Sequence, residues 1–469
     1  MNFLEKCFKL KEHNTTAKQE IYLGFISFLA VAYILAVNPE ILSSTGMDRG
    51  GLFYATAIAA CVGTLAMAFI ANFPFILAPA MGLNAFFAYS VVLTMGYSWQ
   101  IALFAVVLEG IIFFLMSITS IREKIINAIP IQLKYAMGAG VGLFITLVAL
   151  KNAYIIRAHE VTFVTIQDFF GDAFNTAGIS AILAFGGILI TALLMHHKAP
   201  GAILIGMLIT WGIGMIFQLA GIYHVVPEQG FYSLFPNFSL SAMNESFQGF
   251  CSLVGSAFHV SEWTCAAVPG KTGWTLLFSV NFLIVIFSFF FADFFDTVGT
   301  INGAVVNTPL MKKDGTIPGL RGALLADSIA TFLGGVLGTS TTTTFAESAV
   351  GIRAGARTGL SALTAAILFL ISLLCAPIFL ALPGFATAPA LIIVGYLMLK
   401  SVTLIDWDDI PGAIPAYILI IGMVFTYNIS DGLGLGIIAW TFLNFNIKGR
   451  VNWLLWVLTV LFIAKYIFL

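Results

Sequence analysis

The chain has 469 residues, of which 60% are hydrophobic and 9% are charged, and its mean hydropathy is +1.00. This composition excludes a water-soluble protein and indicates a polytopic helical membrane protein surrounded by membrane lipids. The formal net charge of -1 says nothing about partners, and no basic stretch is typical of a nucleic-acid-binding surface, so we expect no nucleic acid partner.

The N-terminal tail is polar and basic. Lys6, Lys9, Lys11 and Lys18 precede the first apolar run. The tail lacks the short apolar core and small-residue cleavage site of a signal peptide. We therefore expect an uncleaved, cytoplasmic N-terminus and a multi-pass protein of the plasma (cytoplasmic) membrane.

Apolar segments follow one another along the chain, each with a length suited to one membrane crossing. Two of them, 75–95 and 341–353, are irregular, and each is third among seven elements in its half of the chain. An odd number of elements per half inserts the second half inverted. The predicted fold is an all-α membrane protein with about 14 transmembrane segments in two inverted seven-segment repeats.

The domain boundaries follow from this count. The first repeat covers 1–220, an extracellular loop covers 221–273 and the second repeat covers 274–450. An extra hydrophobic segment at 451–469 either crosses the membrane again or lies along its surface.

The distribution of basic residues supports the orientation, because cytoplasmic loops carry an excess of Lys and Arg. The loops assigned to the cytoplasm hold Arg122, Lys124, Lys134, Lys198, Lys312, Lys313, Arg321, Arg353, Arg357, Lys400, Lys448 and Arg450. The loops assigned to the outside hold Lys151, Arg157, Lys271 and the loop-proximal Arg49.

The five cysteines show no metal-ligand spacing, so we expect no metal site. Cys251 and Cys265 both lie in the outer loop. A disulfide between them and two free thiols are both compatible with the sequence.

Each irregular segment predicts an extended stretch followed by a half-helix. In the first, FPFILAPAMGLNAFFAYSV, Pro79 and Gly82 interrupt a continuous helix before Asn84 opens the half-helix. In the second, the four threonines at 341–344 favour extended structure and Glu347 falls in the first helical turn. Two half-helix N-termini that meet at mid-membrane would direct partial positive charge and free N–H groups at one cavity.

Carboxylates in apolar segments are the second signal. They are Glu109, Asp293, Asp296, Asp327 and Glu347, and no Lys or Arg is expected at similar depth. Asp293 and Asp296 are three residues apart on one helix face, which indicates an interior polar site. A buried carboxylate without a basic partner is costly to ionise and is therefore suited to carry a proton.

These five positions are not equivalent. Asp293, Asp296 and Glu347 lie at or face the irregular segments, so we predict them as the proton-coupling residues. Glu109 and Asp327 remain open to a purely structural hydrogen-bonding role.

Aromatic side chains near the carboxylates are candidates for stacking a planar ligand, although each is more often a core residue. They are Phe86, Phe87, Phe289, Phe294 and Phe345.

Three motifs carry a family resemblance: APAMGLNAFFAY at 78–89, FADFFDTVGTIN at 291–302 and GTSTTTTFAESAVGIRAGARTGL at 338–360. They resemble the signature segments of AzgA-like permeases, the hypoxanthine, guanine and adenine branch of the nucleobase cation symporter-2 (xanthine/uracil permease) superfamily. The resemblance implies a core domain of segments 1–4 and 8–11 and a gate domain of segments 5–7 and 12–14. The substrate-binding residues expected on this basis, with Phe345 added as a stacking candidate, are Gly82, Asn84, Asp293, Asp296, Thr343, Thr344, Phe345 and Glu347.

The resemblance also implies import of purine nucleobases by proton symport with alternating access. Hypoxanthine and guanine are the first candidates and adenine is a further one. A purine has N–H donors and ring acceptors that suit carboxylate and hydroxyl partners. No cofactor is expected, the coupling ion is a proton with sodium as the alternative, and the sequence leaves a homodimer open.

Three other functions compete with this interpretation. An anion transporter or exchanger of the same architecture is the main alternative, although a basic or neutral group would be expected in place of Glu347. A channel would need a continuous aqueous pore. An intramembrane enzyme is disfavoured, because the sequence shows no metal site, nucleophile–base pair or cofactor loop.

Overall fold

The structure is a computed structural model that describes residues 3–118, 130–160, 162–168, 173–266, 272–305, 308–311, 317–447 and 450–468. These ranges are predominantly helical. The helices are α1 (Phe3–Phe8), α2 (Ala17–Val31), α3 (Ile34–Ser43), α4 (Arg49–Ala66), α5 (Met81–Ala85), α6 (Trp99–Ile118), α7 (Ile131–Asn152), α8 (Ile179–His196), α9 (Ala202–Leu219), α10 (Leu240–Leu253), α11 (Val280–Val305), α12 (Leu320–Leu337), α13 (Ser348–Ala354), α14 (Gly359–Ser372), α15 (Ala376–Leu380), α16 (Gly384–Leu399), α17 (Ile410–Phe425), α18 (Ile429–Asn444) and α19 (Trp453–Phe468). The strands are β1 (Leu77–Pro79), β2 (Ile156–His159), β3 (Phe163–Ile166) and β4 (Thr342–Thr344).

Nine helical stretches in the described part of the chain are long and apolar enough to cross a membrane, and four shorter apolar helices accompany them. The chain is therefore a multi-pass membrane protein, as its composition predicts. Helix α11 continues to Val305 and so carries Asp293 and Asp296 in its interior.

The centre of the fold is a two-stranded sheet formed by segments far apart in the sequence. β1 and β4 are antiparallel, with Ala78 opposite Thr343. Helical structure follows each strand: α5 continues as a π-helix to Thr94, and α13 begins at Ser348. The half-helix after β1, α5, starts at Met81 and not at Asn84, because Ala80 is the last residue with extended dihedral angles.

Gly338 creates the extended stretch before β4. It ends α12 with a φ of +89°, a conformation that side-chain-bearing residues rarely adopt. A Cβ at this position would also lie 2.6 Å from the Cβ of Leu253. The chain leaves the helix here and runs through residues 339–344, which we call the Thr segment.

The helices pack in two groups. In the first, α12 packs on α4 and α6, and α14 packs on α2 and α4. In the second, α7 packs on α16 and α17, α8 packs on α9 and α16, and α17 packs on α18. Contacts of α5 with α7 and of α11 with α18 join the two groups.

Small residues allow α6 and α12 to approach closely. A Cβ on Gly110 would lie 2.5 Å from the backbone nitrogen of Phe332, and one on Gly335 would lie 2.8 Å from Val107 Cγ2. Backbones that approach this closely are typical of helix contacts in membranes. The contact places Glu109, next to Gly110, against α12.

The loop at 221–273, which is predicted to be extracellular, contains structure that the sequence did not predict. Helix α10 lies within it and packs on α4. Cys251 and Cys265 are both free thiols, and Cys265 Sγ donates to the backbone oxygen of Met95 at 3.5 Å. The disulfide alternative was therefore wrong.

The last helix, α19, packs on α18 and on α11, so it belongs to the helical bundle. Lys465 of α19 is 7% exposed, and its Nζ lies 2.5 Å from Asp431 Oδ1 on α18. The ion pair with Asp431 offsets the cost of burying this amine in the last turn of α19.

Candidate functional site

Two carboxylates lie half-buried beside the start of α13. Glu347 precedes the helix, and its Oε1 accepts a hydrogen bond from Tyr33 Oη at 2.5 Å. Tyr33 is fully buried and lies in the break between α2 and α3. Asp296 on α11 is within electrostatic range of both groups. We call Asp296 and Glu347 the half-buried pair.

Three further carboxylates, Glu109, Asp293 and Asp327, have no exposed surface, and we call them the buried trio. Asp327 holds the end of the Thr segment, since its Oδ1 accepts from Thr343 Oγ1 at 2.8 Å and from Thr344 N at 3.2 Å. Such charge-assisted hydrogen bonds are the strong ones in a low-dielectric interior.

Asp293 faces the same segment from α11. Its carboxylate accepts from Thr297 Oγ1 at 3.4 Å and from Thr331 Oγ1 at 3.3 Å. The Thr297 hydroxyl also lies 2.9 Å from Asp327 Oδ2 and 2.5 Å from Thr343 Oγ1. Thr297 therefore links two members of the buried trio to β4.

The remaining residues of the Thr segment are held in the same way. Glu109 Oε2 accepts from Thr341 Oγ1 at 2.6 Å. Ser340 donates its hydroxyl to Asn84 Oδ1, and Asn38 Nδ2 donates to Thr339 Oγ1 at 2.9 Å. Side chains from five other elements, α3, α5, α6, α11 and α12, thus fix this segment, which leaves its polar groups satisfied inside an apolar protein.

Gly82 lies in α5 and faces α7. A Cβ at this position would lie 2.5 Å from Val141 Cγ1. The structure therefore gives Gly82 a packing role between the two helix groups, in addition to the substrate contact expected from the resemblance.

The aromatic candidates pack mainly on one another. The ring centroids of Phe86 and Phe289 are 4.8 Å apart, and those of Phe87 and Phe289 are 6.4 Å apart. Phe294 stacks on Phe113 at 6.1 Å, and Phe345 is buried in the core. These contacts favour the core interpretation for Phe86, Phe87 and Phe289.

The structure joins Asp293 to Thr343 through the Thr297 hydroxyl, places Asp296 within electrostatic range of Glu347, and joins Asn84 to Ser340. Asp327 has hydrogen bonds of the structural kind that the sequence left open, and the contacts of Tyr33 and Thr297 were not predicted. The signal for Thr297 was its position four residues after Asp293, on the same face of the helix.

Comparisons with known proteins identify the family. The model of the Permease family, which represents xanthine and uracil permeases, matches residues 18–434. The chain belongs to this family of nucleobase cation symporter-2 permeases. The resemblance seen in the motifs is thus confirmed, and the family consists of transporters and not of enzymes.

Two curated relatives of this permease span nearly its whole length. The guanine/hypoxanthine permease PbuG of Bacillus subtilis (strain 168) is 40% identical over 98% of this chain and 99% of its own. The adenine permease AdeP of Escherichia coli (strain K12) is 34% identical over 99% of this chain and 96% of its own.

Among solved structures, the permease is similar to the transmembrane domain of a cyanobacterial bicarbonate transporter, BicA, with a TM-score of 0.59. The match covers 93% of this chain and 98% of that one at 16% sequence identity. At this identity the likeness concerns the fold alone.

Proposed function

We propose that this permease imports purine nucleobases, hypoxanthine and guanine first and adenine as a further candidate, by proton symport with alternating access. The observation that carries the proposal is the half-buried pair: Asp296 and Glu347 are accessible beside a densely bonded, fully buried polar segment. Their carboxylates can accept hydrogen bonds from the N–H edge of a purine. The printed activities of the relatives, guanine/hypoxanthine and adenine permeation, support the same substrate class.

The remaining substrate-binding residues of this proposal are Gly82, Asn84, Asp293, Thr343, Thr344 and Phe345. The structure offers support of two kinds. Thr343 and Thr344 donate hydrogen bonds to Asp327, and the Thr297 hydroxyl links Asp293 to Thr343, so these residues are held together next to the half-buried pair. Gly82 and Asn84 hold α5 against α7 and against the Thr segment.

The architecture we propose has 14 membrane segments in two inverted repeats, with the N-terminus in the cytoplasm of a plasma-membrane protein. The first helix group would be the core domain and the second the gate domain. Their separate packing supports this division, as does the position of β1 and β4 between equivalent half-helices. A homodimer is compatible with this arrangement.

An anion transporter is the competing function. The likeness to a bicarbonate transporter supports the fold and not the substrate. Two carboxylates at the proposed substrate site would repel an anion in a low-dielectric setting, where like charges interact strongly. We therefore favour a neutral, hydrogen-bonding substrate.

The test is uptake of radiolabelled hypoxanthine by cells that lack their own purine carriers. We expect saturable uptake that guanine or adenine blocks, uracil and bicarbonate leave unchanged, and a protonophore abolishes. Absence of uptake, with the protein verified in the membrane, would contradict the proposal.

A further inference from the structure

One oxygen of the Glu109 carboxyl group is buried without a hydrogen-bond donor among the described residues. The side chain is fully buried on α6, and its Oε2 accepts from Thr341 Oγ1 at 2.6 Å. Its Oε1 is also buried, but it receives no hydrogen bond from a donor within the described ranges. A buried carboxyl oxygen without a donor is costly, so its presence indicates a missing partner.

The groups that face Glu109 are themselves acidic. The Asp293 carboxyl on α11 lies within hydrogen-bonding reach of the Glu109 carboxyl, and Asp327 on α12 is within electrostatic range. The Thr segment contributes the neutral hydroxyl of Thr341. Another acidic residue packed on α6, Glu262, lies at the outer end, where it accepts from Gln100 at 2.5 Å.

Two carboxyl groups that face each other present acceptors on both sides. Such a contact is stable only when a proton lies between the oxygens, because an ionised carboxylate has nothing to donate. The Lys465 amine, which is the one buried basic side chain among the described residues, is already paired with Asp431 on α18. Among the residues that the structure describes, no basic side chain pairs with Glu109 or Asp293, so a proton is the group that can neutralise this contact.

We propose that Glu109 and Asp293 share the coupling proton of transport, with Glu109 as a proton-carrying residue separate from the substrate site. The inference rests on the proposed function. In each cycle one carboxyl O–H bond forms when a proton arrives from outside, and the same bond breaks when the proton leaves to the cytoplasm. No electrons are transferred. The half-buried pair is then free to bind the base.

The Thr segment connects the two sites. Thr341 binds Glu109, while Thr343 and Thr344 bind Asp327 a few residues nearer to Glu347. Loss of the proton leaves a buried negative charge at one end of this segment and changes the hydrogen bonds that hold it. Protonation of Glu109 can thereby change the positions of Thr343 and Thr344 at the substrate site. Symport requires such a coupling between proton binding and substrate binding.

The test uses the full chain in proteoliposomes with two assays: accumulation of hypoxanthine driven by an imposed pH gradient, and counterflow, in which unlabelled hypoxanthine inside drives entry of label without a gradient. Glu109→Gln imitates the protonated side chain, since its amide can donate to Asp293 and accept from Thr341. We expect accumulation to fall about tenfold or more, while counterflow stays within about twofold of the wild type. Glu20→Gln is the matched control, because Glu20 is equally buried but accepts from the backbone nitrogens of Arg357 and Thr358.

The outcomes separate the two proposals. If the wild type shows neither accumulation nor counterflow, the proposed function is wrong. If the wild type and Glu109→Gln accumulate hypoxanthine equally, the inference is overturned. It is also overturned if folded Glu109→Gln protein loses counterflow as well as accumulation. Accumulation by the wild type that follows a sodium gradient and ignores a pH gradient would also overturn it.

A second pair of variants keeps the test valid if Glu109→Gln does not fold. Thr341→Val removes the hydroxyl that stabilises the ionised form of Glu109, whereas Thr341→Ser retains it. We expect the pH at which uptake is half-maximal to rise for Thr341→Val only. Identical pH profiles for the two variants would contradict a role for Glu109 in proton binding.

Discussion

At the scale of single residues, the hydrogen bond from Tyr33 to Glu347 fixes the side chain on which the proposed substrate recognition depends. The bond spans 2.5 Å and joins residues that are far apart in the sequence. We predict that Tyr33→Phe raises the KM for hypoxanthine about tenfold, because a hydrogen bond to a charged group contributes about 1.5 kcal/mol or more. Uptake kinetics measure this, with Tyr97→Phe as control, since Tyr97 contacts Ser279 at 3.5 Å. An unchanged KM for Tyr33→Phe would remove Tyr33 from the site.

Gly82 provides a second test at this scale. If its role is packing, a second substitution that makes room should restore uptake, whereas a direct contact with substrate would not be restored in this way. Its substitution by Ala places a Cβ 2.5 Å from Val141 Cγ1, so Val141 must move. We predict that Gly82→Ala slows uptake and that Val141→Ala in the same chain restores it. Failure of the double variant to recover, with Val141→Ala alone active, would favour direct contact between residue 82 and the substrate.

At the scale of elements, the ion pair between α18 and α19 anchors the last helix. The Lys465 side chain is 9% exposed and that of Asp431 is 25% exposed. We predict that Asp431→Asn, which leaves the buried amine unpaired, lowers the apparent melting temperature in detergent by about 5 °C. The matched control is Arg157→Met, which breaks an ion pair whose side chains are 47% and 67% exposed and should change the temperature by about 1 °C or less. Equal shifts for both variants would show that α19 does not depend on this pair.

The irregular elements were predictable from sequence because their causes are local. Proline, glycine and consecutive β-branched residues disfavour helix wherever they stand, so the breaks near Pro79 and Gly338 could be located. The antiparallel pairing of β1 with β4 could not, since it joins residues more than 200 positions apart. For the same reason Tyr33 was missed as the partner of Glu347, and Asn38 as the partner of Thr339, whereas Thr297 was missed although it lies only four residues after Asp293.

At the scale of the whole molecule, alternating access requires the two helix groups to move against each other. Ser288 Oγ on α11 and Ser430 Oγ on α18 are 3.2 Å apart, which places one residue of each group in contact. We predict that a disulfide between Ser288→Cys and Ser430→Cys abolishes uptake and that reduction restores it, while each single variant remains active. Full uptake with the disulfide formed would mean that these two helices move together.

The most direct test of the central claim is equilibrium binding of radiolabelled hypoxanthine to the purified permease and to its Glu347→Gln variant. Glu347 is half-buried and accepts a hydrogen bond from Tyr33. The control variant is Glu20→Gln, because Glu20 lies elsewhere in the bundle, where it accepts from the backbone nitrogen of Arg357. We predict saturable binding to the wild type and to the control, displacement by guanine and not by bicarbonate, and loss of binding for Glu347→Gln. Undiminished binding to Glu347→Gln, or displacement by bicarbonate, would contradict a purine site at the half-buried pair.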